Sequence, residues 1–156
     1  MKMLVAFFSA SGSTARLAKT LAAAADAELY EIRPAIPYER RDLNWMDKKS
    51  RSTLEMKDPD CRPELADSDA PVAEAETIFL GFPIWWYREP SIIDSFLDAY
   101  DFSGKTIIPF YTSGGSQLGE GQERIGQMAR GAKVLPGRRF KARAGEEELK
   151  GWIQTL

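Results

Sequence analysis

Short runs of consecutive apolar residues recur along the chain, and each is followed by a segment of different periodicity. The continuous runs lie at residues 3–8, 77–82 and 106–111. Such runs are typical of strands that are buried on both faces of a parallel sheet. A mixed apolar and polar segment at residues 28–33 predicts a strand between the first two runs, and residues 132–135 predict a short fifth strand.

Helical spacing of apolar residues separates the predicted strands. Helices are predicted around residues 15–25, 92–97, 122–130 and 146–154. Ser13 or Thr14 is the expected N-cap of the first helix and Ser91 that of the second, because hydroxyl oxygens accept hydrogen bonds from first-turn N–H groups. Alternating strands and helices favour right-handed βαβ units. The pattern therefore predicts a doubly wound α/β fold with a five-stranded parallel sheet in the order 2-1-3-4-5.

The segment at residues 34–74 interrupts the alternation as a long insert after the second strand. It contains five prolines, many charges and little periodicity. Residues 42–56 predict a helix, which Pro59 and Pro63 would end. A long insert in a compact domain is usually functional or poorly ordered. No composition shift marks a domain boundary, so residues 1–156 are expected to form a single domain.

Composition removes several classes of chemistry. The chain of 156 residues has no histidine, which excludes histidine-based triads and histidine-ligated metals, and no metal site is expected. Its one cysteine, Cys61, cannot form an intrachain disulfide and has no catalytic context. Any redox chemistry must therefore come from a bound organic cofactor. The net charge of −2 gives no reason to expect a nucleic-acid partner, and no apolar run is long enough to span a membrane, so a cytoplasmic location is expected.

Three loops follow the predicted first, third and fourth strands, where ligands bind in open α/β sheets. Residues 9–14 combine four hydroxyls with a helix N-terminus, which suits one phosphate held by hydrogen bonds alone; an ordinary capped turn is equally compatible. Residues 83–88 contain three successive aromatic side chains, which would either stack on a planar ligand or close the core. Residues 112–119 contain two adjacent glycines, which would either let the backbone approach a flat ligand or form a flexible loop. FMN has a part complementary to each loop.

These motifs resemble the flavodoxin family, specifically its short bacterial and archaeal members, and the resemblance spans nearly the whole chain. It is carried by residues 9–14, by residues 81–86, and by residues 101–110 running into residues 112–116, with further likeness at residues 42–45 and 50–52. The resemblance implies a flavodoxin-like fold that binds FMN non-covalently. It implies that the phosphate is held by Ser9, Ser11, Gly12, Ser13, Thr14 and Ala15. It also implies that the isoalloxazine ring is flanked by Pro83, Ile84, Trp85, Trp86 and Tyr87, and by Thr112, Ser113, Gly114 and Gly115.

The chain departs from the family pattern at Tyr87, where these proteins commonly have glycine. In flavodoxins a glycine peptide flip near the flavin stabilises the one-electron-reduced form. Because a positive φ is costly for a tyrosine, weak accumulation of that form is expected. Arg88 lies beside the same loop. It would stabilise reduced flavin, or attract a nicotinamide phosphate, or instead form a surface salt bridge to Glu89 or Asp94.

Three functions remain open from the sequence. The first is an FMN-containing redox protein that passes electrons to a partner protein. The second is an FMN-dependent NAD(P)H:quinone-type oxidoreductase with a small-molecule acceptor. The third is a non-enzymatic module that kept the fold without flavin. No acid–base catalyst is evident, and with a flavin none is required.

Overall fold

A parallel sheet forms the centre of the computed structural model, which describes residues 2–156. Its four long strands are β1 (Met3–Phe7), β2 (Glu28–Glu31), β3 (Thr77–Pro83) and β4 (Thr106–Thr112). With the short β5 (Lys133–Val134) they run in the order β2-β1-β3-β4-β5, and every pairing is parallel. The predicted strand order is therefore confirmed.

The edge beside β4 continues past β5 in a second short strand, β6 (Arg138–Arg139), which the sequence analysis did not predict. Ile107 pairs with Val134 and Phe110 with Arg138, so the edge segment contains one more residue than β4 between these two pairs. Pro136 lies in the gap, where a residue without an N–H is tolerated. The sheet therefore has an interrupted fifth strand.

Helices cover both faces of the sheet: α1 (Ser13–Ala25), α2 (Arg51–Lys57), α3 (Ser91–Ala99), α4 (Gly121–Met128) and α5 (Glu146–Gln154). Alternate residues of β1 enter different cores, with Leu4 and Ala6 on one face and Val5 and Phe7 on the other. The first core includes residues of α3 and α4, and the second includes residues of α1 and α5. Burial on both faces explains why the strands read as continuous apolar runs.

Two predicted helix caps are wrong. The N-cap of α1 is Gly12 rather than Ser13 or Thr14, and its backbone is left-handed with φ 97°. A glycine takes that conformation without a steric penalty, so the turn needs no hydroxyl cap. Ser91 is the first residue of α3, and Pro90 is the N-cap.

The predicted helix at residues 42–56 is also wrong for most of its length. A 3-10 turn spans Arg40–Leu43, and α2 begins only at Arg51. Between them the side chain of Asn44 accepts a hydrogen bond from Met46 N at 3.1 Å, and that of Asp47 accepts one from Lys49 N at 2.9 Å. These local bonds give the backbone partners that compete with a continuous helix.

The insert is joined to the chain just after β2 and packs against the first core, to which it contributes Val72. Ala35 N donates to Glu64 O at 2.7 Å, and Ala66 N donates to Arg33 O at 2.8 Å, so the start of the insert lies beside residues 64–66. Among residues 2–156, no helix is long and apolar enough to cross a membrane.

Candidate functional site

The loops that follow β1, β3 and β4 lie side by side at one edge of the sheet. Phe8 N donates to Gly81 O at 2.9 Å, which joins the ends of β1 and β3. Ile84 N donates to Thr112 O at 3.0 Å, which joins the loops after β3 and β4. The three segments with unusual compositions therefore share one site, as parallel strands require.

The loop after β1 leads into the N-terminus of α1. Gly12 N donates to Ser9 Oγ at 3.1 Å, which closes the turn before the helix. The first turn of α1 contains no acidic residue, so no negative charge opposes an anion at the unpaired N–H groups of the helix end. Exposure differs along the loop: Ser11, Gly12 and Ser13 are exposed, Ser9 and Ala15 are half-buried, and Thr14 is buried. The exposed hydroxyls and amides fit one phosphate group.

The loop after β3 is a two-residue hairpin turn at Trp86 and Tyr87. Trp85 N donates to Arg88 O at 3.0 Å, and Arg88 N donates to Trp85 O at 3.2 Å. Trp86 has φ 47° and Tyr87 has φ 64°, which is the pattern of a type I′ turn. Such turns normally contain Asn-Gly, because the left-handed region costs other residues about 1–2 kcal/mol each.

Tyr87 therefore adopts the positive φ that the sequence analysis treated as a barrier. Flipping the peptide between the two central residues would convert a type I′ turn into a type II′ turn. A type II′ turn requires glycine at its first central position, which is Trp86 here, and gives Tyr87, at the second central position, a negative φ. The residue that opposes a flip is thus Trp86 rather than Tyr87.

The three aromatic side chains of the hairpin have different surroundings. Trp85 packs edge-on against Phe8 and Tyr38, with ring centroids 5.7 and 5.5 Å away. Trp86 and Tyr87 are 41% and 69% exposed. The sequence left open whether these side chains stack on a ligand or close the core. Trp85 packs partly against the core, whereas Trp86 and Tyr87 face outward.

Tyr38 holds the insert against this hairpin. The Arg51 guanidinium lies 3.9 Å from the centre of the Tyr38 ring, and the Tyr38 hydroxyl donates to Glu55 Oε1. Burial and the bond to Glu55 raise the pKa of Tyr38 above its ordinary value, so it stays a neutral donor. No local pattern in the sequence marks Tyr38 for this role, because its partners are distant in the chain.

A cavity of about 330 Å³ opens between the hairpin and the insert. Its walls come from the insert, from the hairpin and from the loop after β4, namely Leu43, Trp45, Ser52, Ile84, Trp85, Trp86, Tyr87 and Ser116. The family likeness at residues 42–45 and 50–52 marked these parts of the insert in the sequence, but not their position beside the hairpin, which only tertiary packing creates.

The loop after β4 is held by its own hydrogen bonds and by a residue of β6. Ser113 Oγ donates to Ser116 O at 2.6 Å, and Arg139 Nε donates to Ser113 Oγ at 3.2 Å. Gly114 and Gly115 are exposed, and Gly115 has φ 148°. Gly119 lies against the hairpin, where a Cβ would be 2.9 Å from Tyr87 O. This loop therefore presents open backbone beside the hairpin, as expected for a surface that approaches a flat ligand.

Arg88 points away from this site and into the protein. It is 3% exposed, and it donates to Met56 O and Glu89 O at 3.1 Å each. Its NH1 lies 3.5 Å from Asp94 Oδ2 and 3.7 Å from Glu89 Oε2. The predicted partners of Arg88 are confirmed, but the predicted surface location is wrong. Being buried, Arg88 cannot attract a nicotinamide phosphate.

Glu89 and Asp94 form a buried acidic pair behind the hairpin, and both are 0% exposed. Arg124 bridges them, with Nε 3.0 Å from Glu89 and NH2 2.7 Å from Asp94. Glu89 Oε1 and Asp94 Oδ1 nevertheless have no hydrogen-bond partner among the described residues. Burial first, and second the neighbouring Glu89 carboxylate, to which only a protonated Asp94 could donate, raise the pKa of Asp94 to about 8.

The chain is similar to proteins of known structure along nearly its whole length. Residues 2–156 match the family model described as Flavodoxin. A candidate flavoprotein from Bacteroides uniformis is 46% identical, with a TM-score of 0.92 and coverage of 98% of this chain and 97% of that chain. A candidate flavoprotein from Bacteroides eggerthii is 39% identical, with a TM-score of 0.93 and coverage of 99% and 97%.

A more distant likeness concerns the fold alone. A flavoprotein from Lactobacillus acidophilus, crystallised in complex with FMN, is 21% identical, with a TM-score of 0.72 and coverage of 97% of this chain and 98% of that chain. No curated protein sequence matches this chain.

Proposed function

This chain belongs to the flavodoxin family, and we propose that it is a redox protein whose chemistry is supplied by non-covalently bound FMN. The observation that carries the proposal is the meeting of three loops at one sheet edge. One offers hydroxyls and helix amides, one offers aromatic rings, and one offers open backbone. These are the partners of a phosphate, an isoalloxazine ring and the polar rim of that ring.

The residues present fit FMN at each of these positions. The phosphate would be held by the exposed end of α1, with Ser9 and Gly12 fixing the turn. The ring would lie between the segment Pro83–Tyr87 and the segment Thr112–Gly115. FMN when bound supplies the electron chemistry, and the protein supplies binding and orientation. The FMN complex of the Lactobacillus acidophilus flavoprotein, which shares the fold, supports this choice of cofactor.

We further propose that the electron acceptor is a small molecule. The cavity beside the hairpin is lined by no charged residue, and Trp86, Tyr87 and Trp45 are exposed around it. A protein partner steered by charge would instead meet an acidic face there. The activity this supports is that of an FMN-dependent NAD(P)H:quinone-type oxidoreductase, while passage of electrons to a redox partner protein is the competing role.

Two properties of the chain as a whole belong to the same proposal. One sheet with a core on each face supports residues 1–156 working as a single domain. The single cysteine is compatible with work in the reducing cytoplasm.

The cofactor is tested by denaturing the purified protein and identifying any released flavin by chromatography. We expect FMN at close to one equivalent per chain. Release of FAD or of no flavin, together with failure to take up added FMN, would favour the flavin-free module.

The acceptor class is tested by stepwise dithionite reduction of the FMN-loaded protein, followed by reoxidation with a quinone. We expect little one-electron-reduced flavin at half reduction, and NAD(P)H oxidation in the presence of the quinone. A strong long-wavelength band from the one-electron-reduced form, with no NAD(P)H oxidation, would favour the protein-to-protein carrier.

A further inference from the structure

We propose that Arg88, whose guanidinium points away from the candidate ring site, is a positioning residue that holds the turn at Trp86 and Tyr87 in its left-handed shape. This inference rests on the proposed function, because that turn flanks the expected position of the flavin ring. Arg88 acts through the turn and does not touch the ligand. Its backbone closes the hairpin, and its side chain is fixed in the interior.

The turn cannot hold its own shape. Trp86 and Tyr87 have φ 47° and φ 64°, a backbone conformation that is costly for residues other than glycine. Strained backbone of this kind persists only where the surrounding structure imposes it. The side chains of the turn give little support, because Trp86 is 41% exposed and Tyr87 is 69% exposed. The constraint must therefore come from the residues that flank the turn.

Trp85 and Arg88 are the two flanking residues, and their paired backbone hydrogen bonds of 3.0 and 3.2 Å close the hairpin. Trp85 is supported by ring contacts with Phe8 and Tyr38. Arg88 is supported by hydrogen bonds from its guanidinium. Because a planar guanidinium donates in fixed directions, several acceptors around it define both its position and its orientation. Arg88 is therefore the more directional of the two supports.

The guanidinium of Arg88 joins the hairpin to two helices. Its NH2 donates to Met56 O at 3.1 Å, in the last turn of α2, and its NH1 lies 3.5 Å from Asp94 Oδ2 on α3. NH1 also donates to Glu89 O at 3.1 Å. The last carbonyls of a helix have no partner within it, and a cation is favourable there. Loss of the Arg88 side chain would therefore release the hairpin from α2 and α3 together.

Arg124 provides a comparison within the same buried cluster. It contacts the same two carboxylates, with Nε 3.0 Å from Glu89 and NH2 2.7 Å from Asp94. Its NH2 also donates to Pro59 O at 3.2 Å, and none of these partners belongs to residues 85–88. Both arginines stabilise the cluster, but only Arg88 is continuous with the turn. The proposal therefore requires that replacing Arg88 affects the turn more than replacing Arg124.

The first test is amide hydrogen exchange of the flavin-free protein, followed by NMR. Arg88→Met removes the guanidinium, and Arg88→Lys keeps the positive charge beside Asp94 but not the directed set of donors. We expect the amides of residues 85 and 88 to exchange at least tenfold faster in both variants, because the hairpin opens locally. The amide of Leu80 in β3 should not change, and Arg124→Met should leave all three amides as in wild type.

The second test asks whether the strain of the turn explains the effect. Only protein with the turn in place would bind FMN well, so Arg88→Met should weaken FMN binding about tenfold. In the Arg88→Met background, Tyr87→Gly should bind FMN about 2- to 5-fold more tightly than Tyr87→Ala, since glycine removes the strain and both lose the ring. In the wild-type background the two Tyr87 variants should bind equally. If Arg88→Met does not fold, the same comparison is made in Arg88→Lys.

Three results would overturn the inference. One is unchanged exchange of the amides of residues 85 and 88 in both Arg88 variants. Another is equal FMN affinity of Tyr87→Gly and Tyr87→Ala in the Arg88 background. The third is an Arg124→Met variant that matches Arg88→Met in both tests, which would make the effect a general one of the cluster. Failure of the proposed function is distinct, because wild type would then bind no FMN while the exchange test still applies.

Discussion

The hydroxyls of Thr14 and Thr112 lie 2.8 Å apart in the interior, although the residues are 98 positions apart in the chain. Thr14 is the second residue of α1, at the candidate phosphate site, and Thr112 ends β4 beside the candidate ring site. Both are buried, with 1% and 8% exposure, so neither hydroxyl can turn freely to water. This bond joins the start of α1 to the end of β4, next to two of the three loops of the candidate site.

Removing both of these hydroxyls should cost less than the sum of the costs of removing each one alone. We expect Thr14→Val to destabilise the protein by about 1–2 kcal/mol, because the Thr112 hydroxyl is left buried without a partner. The double variant Thr14→Val, Thr112→Val should lose less than the sum of the single changes. Urea unfolding of the three variants measures this coupling, and additive losses would show that the bond contributes nothing of its own.

The strained hairpin turn gives a second expected outcome. Tyr87→Gly should stabilise the apoprotein by about 0.5–1 kcal/mol, since glycine takes the left-handed region freely but is more flexible when unfolded. The matched control is Tyr87→Ala, which loses the same ring contacts and keeps the strain. Urea unfolding midpoints compare the two, and an equal gain from alanine would show that the side chain, not φ, was responsible.

Much of this architecture follows from the sequence, because both-face burial makes the strands apolar and the parallel order brings three loops to one edge. The hairpin turn could not be predicted from the sequence, since type I′ turns prefer Asn-Gly at their two central positions and this chain has Trp86-Tyr87 there. The burial of Arg88 does not follow either, because Arg124 and the insert that enclose it come from distant segments. The position of Ser52 at the cavity could not be predicted either, since only tertiary packing brings the insert to the hairpin.

Trp86 is the hairpin ring best placed for a flavin, because it is exposed at the tip while Trp85 packs against Phe8 and Tyr38. We expect Trp86→Ala to weaken FMN binding about 2- to 10-fold, as the loss of one aromatic contact implies. Ile36→Ala is the control, since Ile36 is 73% exposed and does not line the cavity beside the hairpin. Fluorescence titration measures both affinities. Unchanged affinity in Trp86→Ala would exclude Trp86 as a stacking residue.

The buried pair of Glu89 and Asp94 predicts an unusual pH dependence of stability. Because the pKa of Asp94 is raised to about 8, the folded protein binds more protons than the unfolded chain between about pH 4 and pH 8. The contribution of Asp94 to stability is therefore present at low pH and is lost as the pH rises towards 8. Asp94→Asn, which cannot ionise, should remove this loss.

We therefore expect Asp94→Asn to gain stability relative to wild type by roughly 1–3 kcal/mol between pH 5 and pH 8. The control is Asp98→Asn on the same helix, whose side chain is 51% exposed and pairs with Arg62 at the surface. Urea unfolding at several pH values gives the comparison. A difference from wild type that stays constant with pH would show that Asp94 is ionised throughout this range.

The phosphate loop is tested most directly by titrating flavin-free protein with FMN and with riboflavin, which differ only in the phosphate. We expect FMN to bind with one site per chain and riboflavin to bind at least tenfold more weakly, because the end of α1 gains nothing from a ligand without phosphate. Equal affinity for the two flavins, or no change in the fluorescence of either, would contradict an FMN site at this edge of the sheet.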